Sequence, residues 1–371
     1  MIMHIAYVVG IYPQPSETFI AREMEGLRAR GHCIDVYSVF VPESGRAAEV
    51  TYGWTPASYL LLGKLFPHRA RRALGARWGR LFRARGYDAV VAHFGSIPST
   101  VALYAAGTEI PLFISLHARD IYASGEAMAA KLAQARRVLT CTRANQAYLL
   151  EHFPQAADRL TLLYHGLPAV WMDAPPTPRL RASSEPLRIL AVGRFVPKKG
   201  FDILLAALGC LQQRGVPFSA RIVGDGRRRT RLERQCRTLG LQHAVQWPGW
   251  QPEAALRDSY AWADIFCCPS VIAPDGDRDG LPNVLVEAMS TGLPAVGSEL
   301  SGIPEAIEHE VSGLLVPPGR ADLLADALAR VADPALRARL GARADALVRE
   351  RFRFQEGIAL LERLLATGGR G

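Results

Sequence analysis

No run in this 371-residue chain approaches 18 uninterrupted apolar residues, so a membrane-spanning helix is not expected. Cysteine is scarce. The six (33, 141, 210, 236, 267, 268) include no Cys-x-x-Cys pair and no metal-ligand spacing to a histidine. That excludes a disulfide framework and a zinc site, and points to a reducing cytosol, with Cys267 and Cys268 as small apolar residues of a buried strand. Met1 to Gly10 has neither a cationic lead-in nor a small-residue cleavage site, and reads as a first strand rather than a signal peptide. The glycine fingerprint of dinucleotide enzymes is also missing. Val9-Gly10 runs into Ile-Tyr-Pro-Gln-Pro, and Gly224-Asp225-Gly226 lacks the third glycine and is followed by Arg227 to Arg229. An NAD enzyme is therefore disfavoured. There is no short repeat, no low-complexity tract and no recognisable nucleic-acid module, so no nucleic-acid partner is expected.

What is present reads as a soluble globular protein, 49% hydrophobic and 21% charged, long enough for two domains. Strand-like and helix-like segments alternate throughout, the pattern of an α/β architecture with parallel sheets. In the first half, strands are predicted near His4–Val9, Ile34–Phe40, Ala89–His93, Leu112–Leu116, Val138–Cys141 and Leu162–Tyr164. Phe19, Ile20, Glu23/Met24 and Leu27 give a helical period between the first two. Residues 173–186 are proline-rich and aperiodic, which marks a linker. The pattern then restarts with Arg188–Val192, Ala220–Val223, Val245–Trp247, Ile265–Cys268, Ala295–Val296 and Gly313–Val316. The expected organisation is a Rossmann-like domain at 1–172, the linker, and a second at 187–351. Two such domains joined by a linker would face each other across a cleft, a preferred place for ligands.

The formal net charge of +9 is concentrated. Lys64 to Arg85 holds eight Lys/Arg and no acid, and without it residues 1–175 would be net negative. Leu65, Phe66, Leu74, Trp78, Leu81 and Phe82 interleave with these cations. A basic, partly amphipathic stretch suits an anionic membrane surface; a solvated helix face over core aromatics is the plainer alternative.

Two carboxylates carry the strongest chemical signal. Asp279 precedes Gly280-Leu281-Pro282-Asn283, and Glu287 follows within the apolar run Val284 to Met289, which reads as a helix ended by Thr291-Gly292. Pro282 suits the first helical turn, placing Asp279 in the loop ahead and Glu287 about two turns in. Unbonded amides at the helix start are a natural seat for phosphate. Upstream, Val192-Gly193-Arg194 to Lys199-Gly200 leaves the carboxyl end of a strand, where open α/β sheets bind ligands. A guanidinium and an ammonium there can neutralise a diphosphate, although a surface-charged loop would look the same. Asp275-Gly276-Asp277-Arg278-Asp279-Gly280 matches the first half of a calcium loop, but its twelfth position is Val286, so no metal is expected. His117 falls at a strand end and can hydrogen-bond a sugar hydroxyl or serve the structure; for His93 the structural role is favoured. Ser16 is a good N-cap for the first helix, whose start could offer amides to a phosphate or acceptor.

Taken together these residues resemble glycosyltransferase family 4, the retaining, metal-independent group with the two-domain GT-B fold. The resemblance rests on Ser16-Glu17-Thr18-Phe19-Ile20, His117 with Asp120, Gly193-Arg194 with Lys199-Gly200, Gly224-Asp225-Gly226, Pro269-Ser270 and Asp279 to Glu287. Gly292-Leu293-Pro294, Gly302-Ile303-Pro304-Glu305 and Gly313 to Val316 continue it. The Ser-Glu-Thr-Phe-Ile run is similar to that of enzymes of bacterial exopolysaccharide and lipopolysaccharide assembly.

The resemblance implies that Arg194 and Lys199 bind a donor diphosphate and Glu287 the ribose. Asp279, with the amides of Gly280, Leu281 and Asn283, would hold the donor sugar, and His117 would lie over it. Ser16 and Gly193 join the donor site, and the nucleobase would rest near Trp250 and Gly224. A C-terminal helix, 352–371, would pack back on the first domain. The implied reaction moves a hexosyl group from a UDP- or GDP-linked sugar to a hydroxyl of a saccharide acceptor, lipid-linked, in cell-surface polysaccharide synthesis. No cofactor is expected, the nucleotide sugar being substrate, and the enzyme would sit in the cytoplasm, peripheral at the inner face of the membrane. The family motif begins with Glu where this chain has Asp279, one methylene shorter, which leaves the donor sugar open. A nucleotide-sugar epimerase on the same fold is the alternative enzyme; a sugar phosphorylase would need a cofactor lysine and a longer chain. A nucleic-acid-binding protein using the basic patch ranks last.

Overall fold

The computed structural model describes residues 1–14, 17–43, 45–55, 58–59, 66–123, 127–172 and 185–368. The chain divides into two compact units, Met1–His165 with Phe354–Gly371, and Gly166–Arg353. Ser16, Lys64, Leu65 and residues 173–184 of the expected linker lie outside the described residues.

The first unit is built on β1 (His4–Ile11), β2 (Cys33–Phe40), β3 (Val50–Trp54), β4 (Ala89–His93), β5 (Leu112–Leu116), β6 (Arg137–Thr140) and β7 (Leu160–Leu162). They form one parallel sheet in the order β3-β2-β1-β4-β5-β6-β7. Both faces are buried, which is why its central strands read as continuous apolar runs. Along β1, Ile5, Tyr7 and Val9 enter one layer, with helix Thr18–Ala29 and the terminal helix Phe354–Gly368. Ala6 and Val8 enter the other, against Leu74, Trp78 and Phe82 of helix Pro67–Arg85. The terminal helix approaches closely at Gly26, where a Cβ would come 2.8 Å from Ile358. Glu362 ties it down through His32 and Arg30, at 3.0 and 2.6 Å.

Strand β3 was not expected. It is a short edge strand interrupted by Gly53, with little apolar signal of its own, and is held by register against β2. The interleaved aromatics of the basic stretch also need correction. Leu74, Trp78 and Phe82 are core residues at helical spacing and Leu81 packs on the same core, so they cannot face a membrane. The exposed members are Arg69, Arg72, Arg77, Arg80, Arg83 and Phe66, while Arg71 is buried and Arg85 pairs with Asp35 at 2.9 Å.

The second unit is built on β8 (Leu187–Val192), β9 (Phe218–Val223), β10 (Val245–Gly249), β11 (Ile265–Cys268), β12 (Ala295–Ser298) and β13 (Gly313–Val316). Their order is β10-β9-β8-β11-β12-β13, again all parallel. Strand order reverses between β8 and β11, and that switch point is where doubly wound sheets bind ligands. The expected boundary at 172/173 moves back to 165/166. Leu167 donates its N–H to Phe352 O at 2.8 Å, and the Trp171 ring packs on Tyr260 under Arg257. These contacts are internal to the second unit, and they draw residues 166–172 into it. The same division leaves Phe352 and Arg353 with the second unit rather than with the terminal helix. Among the described residues no helix is long and apolar enough to cross a membrane.

Candidate active site at the switch point of the second unit

Two chain segments converge past β8 and β11. After β8 the chain makes a short 3-10 turn, Pro197–Lys199, ended by Gly200 at φ 62. A Cβ on Gly200 would stand 1.9 Å from the carbonyl oxygen of Pro269, so glycine alone lets the two backbones touch. Val271 then donates its N–H to Lys198 O at 2.8 Å and fastens the contact. The stem of Lys199 lies over Gly193, where a Cβ would meet Lys199 Cε at 3.1 Å.

The polar groups here are nearly dry. Lys199 Nζ is 2.9 Å from Asp279 Oδ2, which also accepts a hydrogen bond from the Ser270 hydroxyl at 2.7 Å. Lys198 Nζ is 3.0 Å from Asp277 Oδ1, donates to Arg278 O at 3.3 Å and stands 3.8 Å from Asp279 Oδ1. Burial by itself would raise the Asp279 carboxyl. Lys199, Lys198 and the Ser270 hydroxyl outweigh it and hold Asp279 below the ordinary carboxylate value. Two of the three carboxylates that resembled a calcium loop, Asp277 and Asp279, are thus directed at ammonium groups, while Asp275 accepts the N–H of Asp277 at 3.2 Å.

Helix Asn283–Ser290 starts directly after this cluster. Pro282 is its N-cap, one position before the first turn where it was expected, and Glu287 is little more than one turn in. The amides of Gly280 and Leu281 have no acceptor among the described residues, and Asn283, first in the helix, has none within it. Glu287 is buried and its Oε2 accepts from Tyr260 OH at 3.2 Å. The Arg194 side chain is exposed and makes no ion pair or hydrogen bond among the described residues, so the structure does not join it to Lys199. Gly224 donates to Gly249 O at 2.8 Å, and a Cβ there would stand 1.9 Å from Gly193 O, which closes the β8 and β9 ends on each other. Trp250, next after β10, is 64% exposed. Sequence reasoning missed Lys198, Ser270, Asp277 and Tyr260 as site members. The Lys-Lys dipeptide and the run of alternating aspartates were the available signals.

The first unit holds a separate cluster. His117 follows β5, with Phe19, Phe94 and His165 rings at 5.0, 4.6 and 5.5 Å. Burial, then the charges of His165 and His93, depresses the His117 pKa well below the usual imidazole value. Burial, opposed by Glu23 and reinforced by His93, takes His165 down to about 4. His117, Cys141 and His165 carry ligand atoms that all lie within 4.8 Å of one another, and no metal is assigned to them.

Those two histidines fix a pH dependence. Both are neutral in the folded unit, whereas unfolded imidazoles take up protons near pH 6.5. The unfolded chain therefore binds more protons as pH falls, so the stabilisation is complete above about 6.5 and is lost towards about 4. The first unit's melting temperature is expected to drop across that window. Substituting His165→Gln should flatten the drop, by about 3 kcal/mol at its acid end; an unchanged acid slope would refute the assignment.

Two Rossmann-like parallel sheets in one chain, of seven and six strands, are the architecture of the GT-B fold. The chain matches the family model for "Glycosyltransferase Family 4" over residues 16–169 and that for "Glycosyl transferases group 1" over 186–333. It belongs to glycosyltransferase family 4. Over 150 residues it is 43% identical to the amylovoran biosynthesis glycosyltransferase AmsK of Erwinia amylovora, a match covering 40% of this chain and 37% of that protein. The match thus spans little over a third of that relative's length. Among solved structures it is similar to sucrose-phosphate synthase from Thermosynechococcus elongatus (TM-score 0.78, 20% identity, 98% of each chain). Anabaena HepE in complex with UDP is also similar (TM-score 0.73, 22% identity, 99% of this chain and 100% of that one). At such identities these two establish the fold.

Proposed function

We propose that this chain transfers a hexosyl group from a UDP- or GDP-linked sugar to a hydroxyl of a lipid-linked saccharide acceptor, in bacterial cell-surface polysaccharide synthesis. The anomeric configuration is retained and no metal takes part. The observation that carries the reading is the charge layout at the switch point. Arg194, Lys198 and Lys199 bring three cations against the two carboxylates of Asp277 and Asp279, which leaves one positive charge in excess for a diphosphate. The amides of Gly280, Leu281 and Asn283 supply neutral donors beside them. Glu287 is assigned to the ribose and Trp250 with Gly224 to the nucleobase. Asp279, assisted by Ser270, is assigned to the donor sugar, and by family resemblance so is His117.

Asp279 is engaged by Lys199 and Ser270, which favours a route without a protein nucleophile. The acceptor oxygen bonds to the anomeric carbon on the face that the diphosphate leaves. The departing phosphate oxygen takes both the electron pair of the broken bond and the acceptor's proton. The protein's share is positioning and charge stabilisation. AmsK carries a polysaccharide-biosynthesis name and HepE was crystallised with UDP, which supports this substrate class. Thermal-shift screening against UDP- and GDP-sugars tests it. One donor should raise the melting temperature of the second unit by a few degrees at saturating concentration, and that shift should vanish in Lys199→Ala. No response to any nucleotide sugar would overturn the proposal.

The exposed arginines 69, 72, 77, 80 and 83 of helix Pro67–Arg85 are assigned to an anionic membrane surface, at roughly 1 kcal/mol per cation near it. Vesicles rich in anionic lipid should then sediment the protein at low salt and release it at high salt. Equal sedimentation with neutral vesicles would remove the assignment.

A further inference from the structure

We infer that Glu23 and His93 are positioning residues that dictate which nitrogen of His117 bears its proton. All three belong to the first unit. Glu23 sits on the inner face of helix Thr18–Ala29, and is only 5% exposed. His93 ends β4 and is fully buried; His117 lies just past β5, the neighbouring strand, whose Ser115 is paired with His93. That register brings the two imidazoles together.

Glu23 Oε1 accepts from Tyr7 OH at 2.8 Å and lies 3.0 Å from His93 Nε2. An ionised carboxylate only accepts, so His93 Nε2 must carry a hydrogen, and in the neutral ring Nδ1 is left as an acceptor. Nδ1 is 3.5 Å from His117 Nε2, the longest link of the chain. The two rings are within 22° of parallel with centroids 5.7 Å apart. That separation is close to the nitrogen–nitrogen distance plus two ring radii, so the rings meet edge to edge, as a ring-to-ring N–H···N bond requires. With His93 neutral, His117 is therefore the donor through Nε2, and its lone pair lies on Nδ1, on the side of the Asp120 amide in the helix cap. The groups facing this row are Tyr7 from β1, Phe19 and Glu23 from the first helix, Phe94 after β4, Cys141 after β6, and His165 after β7.

A buried Glu–His pair could also exist only to satisfy the core, and two isosteric variants separate the roles. Glutamine at 93 can keep a donor where Nε2 was, holding Glu23, but offers nothing to His117. Asparagine at 93 can keep an acceptor where Nδ1 was, but leaves Glu23 short of a partner. His93→Gln should thus melt within a few degrees of the wild type yet lose the slowly exchanging His117 Nε2–H signal in ¹⁵N-histidine NMR at alkaline pH. His93→Asn should melt lower and retain the signal. The consequence for turnover rests on the transferase reading: His93→Gln lowers kcat at least tenfold with donor KM within twofold, and His93→Asn loses less. A signal that is absent in the wild type or survives in His93→Gln overturns the inference, as does turnover that merely follows melting temperature. The predicted signals in a protein that transfers no sugar would instead overturn the transferase reading and leave the inference standing.

Discussion

Replacing Lys199 with alanine is expected to lower sugar transfer ~10²–10³-fold, the usual loss when one preorganised charge-stabilising donor is removed. The fold should survive. Asp279 would lose its cation at 2.9 Å but keep the Ser270 hydroxyl at 2.7 Å and Lys198 at 3.8 Å. The stability loss should therefore stay at about 1–3 kcal/mol, that of one charge-assisted bond in a site still partly compensated. Lys198→Ala should show the opposite balance. It strips Asp277 of its ammonium and leaves a carboxylate 11% exposed without it, so stability falls by more than in Lys199→Ala. Lys199→Arg is not a silent exchange, because a planar fork cannot take the place of the stem that lies over Gly193. Initial rates and urea denaturation on the same samples decide the matter. A folded Lys199→Ala enzyme working within tenfold of the wild type would defeat the diphosphate assignment.

Gly200→Ala should damage the second unit more than any surface change, by about 3 kcal/mol or more. Two effects combine. The backbone at φ 62 lies in the left-handed region, where a side chain costs about 1 kcal/mol or more. The new methyl would also stand 1.9 Å from Pro269 O, a rigid backbone atom that can retreat only by displacing the end of β11. Ser270 is the next residue, so the movement would also loosen the Lys199–Asp279–Ser270 cluster and weaken donor binding. Gly319→Ala is the internal control: its φ is 81 but nothing stands within 4 Å of the added carbon. It should cost about 1 kcal/mol, from backbone strain alone. Equal urea midpoints for the two variants would show that the close approach at Gly200 contributes nothing.

Much of this architecture is readable from local pattern. Ala89–His93, Leu112–Leu116, Ile265–Cys268 and Gly313–Val316 have the expected bounds, because strands buried on both faces must be short, apolar and uninterrupted. β3 was not legible, since Gly53 and an edge position remove the apolar signal and only pairing to β2 holds it. The helix after Asp279 was legible from its apolar run and its proline. The burial of Lys198 beside Lys199 was not, because adjacent lysines look alike until the chain turns one of them inward to Asp277.

Composition and periodicity alone determined two parallel α/β units, no spanning helix, and the loop, strand-end and helix-start segments that carry the chemistry. Those features are local: they depend on which residues neighbour each other along a strand or a helical turn. Tertiary structure decided which of two adjacent lysines faces Asp279, that Ser270 shares its carboxylate, and that the basic stretch hides its aromatics in the core. It also decided that Glu23 reaches a histidine 70 residues away. Such pairings are set by strand order and register, and these come from burying both faces of each sheet at once, a condition that no short window of sequence contains.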